Sequence, residues 1–218
     1  MKTQPLRINI GCGQTPTPGW INFDNSLSLM LAKLPLAVGL LAKAKVLSPE
    51  QQSFINFAKT NDIWRANAAR LIPLRDGSIE VIYTSHMIEH MDQAEARQFL
   101  KEAQRVMASG GIIRIVVPDL KLLADRYMAE GDADLFVEKT LLAQSRPKGL
   151  LGRLRYALIG HRKHLWMYDG PSLCKLLASA RFLEPKIMEA GTTIISDPGE
   201  LDLNERRSES VYVEATKP

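Results

Sequence analysis

Arg7-Ile8-Asn9-Ile10-Gly11-Cys12-Gly13-Gln14 is the stretch on which the fold turns. A short apolar run enters two glycines spaced one apart. Eleven residues after Gly13, a second short run, Trp20-Ile21-Asn22-Phe23, ends on Asp24. Residues 6–10 and 20–23 read as the first two strands. A side chain at either glycine would block close approach of a ligand to the backbone. An acid closing the second strand is the usual partner of a ribose diol in nucleotide-binding α/β folds. The pair therefore predicts a site for an adenosine-bearing ligand. The gap holds Pro16, Pro18 and Gly19, and it is short against the roughly twenty residues of the dinucleotide fold. The helix that usually follows the first strand is expected to be absent or a single turn.

Further along, residues 27–60 read as a helical insertion after the second strand, broken at Pro35 and again at Ser48-Pro49-Glu50. There Ser48 is placed as N-cap, with Gln51 three residues on. The apolar run Leu34 to Ala42 is flanked by Lys33, Lys43 and Lys45 and is too short to span a bilayer. It is read as a lid, a peripheral membrane contact or a plain packed helix. Ile79-Glu80-Val81-Ile82-Tyr83-Thr84 is a β-branched strand. A helix is expected from Asp92 to Met107, ended by Ser109-Gly110-Gly111 with glycine as a left-handed cap. Ile112 to Val117 is the most buried-looking strand, stopped by Pro118. Helices at about 119–130, 132–144 and 171–180 follow, with closing strands near 184–189 and 210–215. Strands alternating with helices indicate an α/β fold. It is expected to be Rossmann-like and doubly wound, with a largely parallel sheet covered on both faces.

The 218 residues, 45% hydrophobic and 24% charged, fit one soluble domain over 1–218. Cys12 and Cys174 are far apart and lack metal spacing, so no disulfide framework or zinc ribbon is expected. Met1-Lys2-Thr3-Gln4-Pro5 leads straight into a strand and leaves no room for a signal peptide, so a cytoplasmic, reduced setting is expected. Net charge is +4. Seven Lys/Arg and no acid fall between Lys139 and Tyr168, and this 139–168 segment is read as basic and substrate-facing. It suits an anionic, phosphate-bearing substrate or a lipid headgroup, or is simply a solvated face. With few aromatics and no glycine-aromatic strand signature, nucleic acid is disfavoured as a partner. Oligomeric state is not legible.

The order of these pieces resembles the class I S-adenosylmethionine-dependent methyltransferases, over most of the chain apart from residues 27–60. The resemblance is carried by Asn9-x-Gly11-x-Gly13, Ile72-Pro73-Leu74 before Asp76-Gly77-Ser78-Ile79, Ser85-His86-Met87-Ile88-Glu89-His90, Arg105-Val106-Met107-x-x-Gly110-Gly111, and Tyr168-Asp169 through Phe182. The closing Glu209 to Ala215 resembles the last strand of a bacterial subgroup often linked to glycan biosynthesis. Two departures stand out. Asn9 replaces the usual acid, and Thr15 the usual third glycine.

The resemblance implies S-adenosylmethionine as cofactor, held by Asn9, Gly11, Cys12, Gly13, Asp24, Asn67 and Ser85. Asp24 would take the ribose hydroxyls and Asn67 the adenine amino group; Cys12 is read as a packed residue rather than a reactive thiol. Methyl transfer needs an aligned acceptor and a base, and histidine titrates in the useful range. His86 or His164 is taken as that base, with Asp119 orienting the acceptor. His86, Glu89 and His90 fall at i, i+3, i+4 on one face. They could equally tie this turn to its neighbours. A related spacing binds a divalent ion in some metal-dependent O-methyltransferases, but no metal ligand is assigned. No Asn/Asp-Pro-Pro-Tyr segment follows the fourth strand, which argues against adenine or amide nitrogen as acceptor. The expected reaction is O-methylation of a sugar, glycan precursor or other small molecule. The alternatives are a cofactor-binding partner without catalysis and methylation of a lipid-linked acceptor at a membrane surface.

Overall fold

The computed structural model describes residues 6–44, 46–143 and 163–218. The strands are β1 (Leu6–Ile10), β2 (Ile21–Asp24), β3 (Trp64–Arg65), β4 (Ile79–Ser85), β5 (Met107–Pro118), β6 (Leu183–Met188) and β7 (Ser210–Thr216). The helices are α1 (Leu27–Ala32), α2 (Pro35–Lys43), α3 (Pro49–Ala58), α4 (Gln93–Val106), α5 (Leu120–Glu130), α6 (Ala133–Thr140) and α7 (Gly170–Ser179), with a 3-10 turn at Ile88–His90. The seven strands lie in the order β3-β2-β1-β4-β5-β7-β6. All neighbouring pairs from β3 to β5 are parallel, and β7 runs antiparallel to both β5 and β6. The order reverses at β1 and β4, so their carboxyl ends open a crevice of the kind in which ligands bind in open α/β sheets.

Helix positions follow from local chemistry. At α3 the Ser48 side chain accepts the Gln51 N–H and the Gln51 side chain accepts the Ser48 N–H, at 3.2 and 2.8 Å. Two orphan donors of the first turn are thus satisfied reciprocally. Asp92 caps α4 in the same way with Glu95. One face of α4, including Phe99, Leu100, Ala103 and Val106, is fully buried with Leu173 and Leu177 of α7 against Ile8, Ile82, Ile113 and Val213. On the other face the core is smaller, and among the described residues no helix contributes to it. Ile195 and Leu201, from the irregular segment 189–209, pack with Val81, Tyr83, Val116 and Tyr212. Helical cover on both faces was expected; the short β1–β2 connection supplies none, and the 189–209 segment closes this part of the core instead.

That segment is held down by a buried ion pair. Arg114 and Glu214, both fully buried, meet at 2.6 Å. Arg114 also donates to Thr192 O and Leu203 O, while Glu214 accepts from the Thr193 hydroxyl and the Ile194 N–H. The Tyr83 hydroxyl donates to the Glu205 carboxylate at 2.6 Å, adding a second tether.

The glycine pair after α4 plays a different part from the expected cap. α4 stops at Val106, Met107 is already extended and β5 begins there. Gly110, at φ +77°, donates to Lys217 O, and Lys217 donates back to Gly111 O. The glycines therefore shape the start of the strand beside the end of β7. A Cβ at Gly111 would sit 2.9 Å from the Glu80 and Ala108 carbonyl oxygens, which explains the second glycine.

Candidate active site

The glycine loop and the β2 acid form one unit. Gly11 and Cys12 both donate N–H to Phe23 O, at 2.8 and 3.1 Å. Gly13 N–H donates to Asp24 Oδ2 at 3.1 Å, and Ser26 N–H to Asp24 Oδ1 at 2.7 Å. Burial pushes the Asp24 carboxyl above its usual range, against the two backbone donors. A carboxylate offers about four acceptor positions, so two remain for a diol. The two glycines differ in what they make room for. A Cβ at Gly11 would fall 2.5 Å from Met87 Cγ, whereas one at Gly13 would meet nothing within 4 Å. Gly11 admits a neighbouring side chain; Gly13 borders open space.

As expected from its prolines, the connection over 11–20 contains no helix. Asn9, 2% exposed, donates from Nδ2 to Thr15 O and to the Thr17 hydroxyl, both at 3.1 Å. Asn22 accepts Thr17 N–H and donates to Thr17 O and Trp20 O. Asn9 Oδ1 is buried without a partner in the protein. Cys12 is buried, and burial, reinforced by the Asp24 charge, pushes its thiol up to about 12. Asn67 lies two residues past Arg65, the register partner of Asp24, and its Oδ1 accepts Ala69 N–H at 3.1 Å. Ser85 is the last residue of β4 and is buried.

Beyond Ser85 the chain makes a left-handed step at His86, φ +50°. Such a backbone is uncommon for a non-glycine residue and concentrates at functional sites. It is secured by His86 N–H donating to Val116 O and by a 2.9 Å bond between His86 Nε2 and the Ser210 hydroxyl. Three residues on, Glu89 is fully buried. His86 Nδ1 lies 3.4 Å from Glu89 Oε1 and His164 Nε2 lies 3.9 Å from the same oxygen. His90 and His164 rings meet edge to face, with centroids 5.0 Å apart. The Glu89 carbonyl accepts the N–H groups of Leu165 and Trp166, pinning that segment over the turn. Burial pulls the His164 imidazole below its usual range, and Glu89 opposes that.

Of the three residues expected to carry chemistry, the fold thus brings His86 and His164 together around Glu89. Asp119 has another task. It caps α5 by accepting Lys121 N–H at 2.9 Å, beside the bond from Leu120 N–H to Tyr168 O. The sequence reading gave Glu89 no central role. Its signal was the apolar Met87-Ile88 beside it, which implies a turn packed inward. Of the basic stretch, Arg146, Lys148, Arg153, Arg155 and Arg162 lie outside the described residues; Lys139 lies in the last turn of α6 and Lys163 adjoins the histidine cluster.

Residues 8–115 match the family described as a methyltransferase domain. Among solved structures, a SAM-dependent methyltransferase from Thermotoga maritima aligns over 100% of this chain and 84% of its own, at 15% identity and a TM-score of 0.52. A SAM-dependent methyltransferase from Methanosarcina mazei aligns over 99% of this chain and 94% of its own, at 18% identity and a TM-score of 0.50. No curated protein matches the sequence.

Proposed function

We propose that the chain is a class I S-adenosylmethionine-dependent methyltransferase, a reading supported by the methyltransferase-domain match over residues 8–115 and by the fold, and that it methylates a hydroxyl of a sugar, glycan precursor or related small molecule. The observation that carries this reading is the His86–Glu89 pair at the carboxyl end of β4, where Met87 packs against the glycine loop. Glycine loop, Asp24 and the region of Asn67 would hold the cofactor, with the Asp24 carboxylate taking the ribose hydroxyls. The donor is already activated as a sulfonium, so the protein's part is alignment and proton removal.

When bound, S-adenosylmethionine would supply the methyl group to the acceptor oxygen, with sulfur keeping the electron pair of the broken carbon–sulfur bond and S-adenosylhomocysteine leaving. The acceptor proton passes to His86 Nε2, which now faces the Ser210 hydroxyl. Glu89, beside Nδ1, stabilises the imidazolium that forms. His164 is less suited to this exchange, because its Nδ1 bonds Thr140 O at 2.8 Å and its ring is 5% exposed.

A second reading keeps the transfer and moves it to a membrane face. It is favoured by α2, which buries no residue, leaves Leu36 86% and Leu40 71% exposed, and is bracketed by Lys33 and Lys43. No helix among the described residues is long and apolar enough to cross a membrane. Calorimetry with S-adenosylmethionine and S-adenosylhomocysteine tests the pocket. A radiolabelled methyl screen over nucleotide sugars, glycan extracts and lipid-linked sugars then tests the acceptor. Label on a water-soluble sugar supports the first reading, label only on the lipid-linked acceptors the second. Cofactor binding with no labelled product in any arm leaves the non-catalytic partner.

A further inference from the structure

Glu89 is short of partners: His86 Nδ1 at 3.4 Å and His164 Nε2 at 3.9 Å face its Oε1 without a hydrogen bond. Its carboxylate is fully buried, and neither oxygen has a hydrogen-bond partner in the protein. An ionised carboxylate in that position costs several kcal/mol unless a cation offsets it. The groups around it are imidazoles, and two of them have the same orientation. His90 Nδ1 lies 3.1 Å from Lys163 O, and His164 Nδ1 lies 2.8 Å from Thr140 O. A carbonyl can only accept, so both rings carry their proton on Nδ1 and keep a free lone pair on Nε2. Histidine ligands of metal ions are fixed in this manner by an outer carbonyl.

We propose that Glu89, His90 and His164 form a binding site for one divalent first-row transition ion. One donor atom from each residue lies within 4.8 Å of the other two. Bonds of about 2.0–2.2 Å to an ion hold donors about 3–4 Å apart. The 3.9 Å between His164 Nε2 and Glu89 Oε1 already meets that, and side-chain rotation closes the rest. Two imidazoles and one carboxylate suit zinc, manganese, iron or cobalt and leave coordination positions open. They do not suit calcium or magnesium, which take mostly oxygen. The ligands come from two separate parts of the chain. The Glu89 carbonyl that accepts Leu165 and Trp166 N–H groups holds the second part, 163–166, in register with the first. His86 stays outside the set, on the Ser210 side. An ion here would take the acceptor hydroxyl through an open position and lower its pKa. That consequence rests on the methyltransferase reading; the site itself does not.

The test uses tag-free, chelator-stripped protein titrated with Co2+, read by visible absorption, with Zn2+ competition and elemental analysis. One Co2+ per chain, displaced by one Zn2+, is expected. Glu89→Gln and His164→Ala should each weaken the ion by at least about 100-fold, since loss of an outer-shell partner alone costs about 10–100-fold. Circular dichroism checks that they fold. Should they not fold, nitrogen-15 NMR of the wild-type imidazoles decides. Zn2+ should shift Nε2 of both His90 and His164. Failure to retain stoichiometric metal, affinity unchanged in both variants, or Zn2+ shifts that spare His90 and His164 would overturn the site. Calorimetry with S-adenosylmethionine on the same samples separates the two proposals. Metal without cofactor removes the methyltransferase reading and keeps the site; cofactor without metal does the reverse.

Discussion

Gly11 and Gly13 are separated by one residue and both adopt left-handed backbone, yet alanine should act chiefly on stability at the first and on ligand binding at the second. At Gly11, φ +75°, an added Cβ lies 2.5 Å from Met87 Cγ and 2.8 Å from Met87 Cβ. The left-handed conformation costs an alanine about 1–2 kcal/mol, and forcing a methyl into a filled space adds about 1–3 kcal/mol. Gly11→Ala should therefore lose about 2–5 kcal/mol of folding stability, a large share of the usual margin of about 5–15 kcal/mol. At Gly13, φ +51°, the same Cβ meets nothing within 4 Å. Gly13→Ala should lose only the conformational cost, about 1–2 kcal/mol. The open space is the point of the comparison. If the methionine and ribose of the cofactor fill it, the methyl of Gly13→Ala meets ligand, and affinity should fall at least about tenfold, or about 1.4 kcal/mol. Urea unfolding without cofactor measures the first quantity and calorimetry with S-adenosylmethionine the second. Cofactor affinity in Gly13→Ala equal to wild type would refute the placement of the ligand against this loop, whatever Gly11→Ala does.

Three further outcomes follow from buried groups. Glu214→Ala should destabilise by about 3–5 kcal/mol, because it leaves the Arg114 charge buried and unpaired. Replacing both partners by apolar residues should recover most of that, and equal losses in the single and double variants by urea unfolding would contradict it. Glu102 is held below the usual carboxylate range chiefly by its hydrogen bond from Arg105. A depressed carboxyl stabilises the fold above its unfolded pKa of about 4.3, and loses that as pH falls through its folded value. Glu102→Gln should thus cost about 1–3 kcal/mol at pH 7, with the gap to wild type closing in acid; a gap independent of pH would contradict this. Finally, the Cys12 thiol, pushed up to about 12 and buried, should be alkylated at pH 8 at least about 1000-fold more slowly than a free thiol. Intact-mass analysis of native against unfolded protein reads this directly, and rapid double labelling of native protein would count against it.

Much of the sheet was legible because its strands are either apolar runs or end on punctuating residues. β1 falls where its pattern placed it, and β2, β4 and the late part of β5 do so to within a residue, with Pro118 paired as the last strand residue rather than lying beyond it. The capping box at Ser48 and the inward face of α4 were equally visible, since both depend only on local spacing. β3 was not, because two exposed residues, Trp64 and Arg65, carry no periodicity. Gly110-Gly111 misled because a left-handed glycine serves a strand start as readily as a helix end. The buried ion pair leaves a trace in the sequence, since Arg114 interrupts Ile112-Ile113-x-Ile115 and Glu214 interrupts Val213-x-Ala215. Antiparallel pairing sets them directly opposite. The Glu89 cluster needed the tertiary fold, because His164 is 75 residues from Glu89 and is brought back by main-chain bonds that no side-chain pattern announces.

The two departures from the family pattern have a common cause in the β1–β2 connection. In a loop without a helix, carbonyls turn inward; Thr15 O and the Thr17 hydroxyl face residue 9. An amide nitrogen can donate to both oxygens, and an ionised carboxylate can donate to neither. Aspartate at position 9 could accept from the Thr17 hydroxyl once that group turned, but it would set its charge against Thr15 O at about hydrogen-bond distance, in a site 2% exposed. Thr15 fits the same turn, closing it twice on Cys12 O through its N–H at 2.8 Å and its hydroxyl at 3.0 Å. Asn9 and Thr15 are thus what a short, proline-bearing loop requires, and loss of catalysis is not needed to explain either. The consequence is testable by Asn9→Asp, which should destabilise the cofactor-free protein by about 1–3 kcal/mol rather than improve cofactor binding. A variant as stable as wild type that binds S-adenosylmethionine more tightly would show that the amide is a lost ligand group and not a staple of the loop.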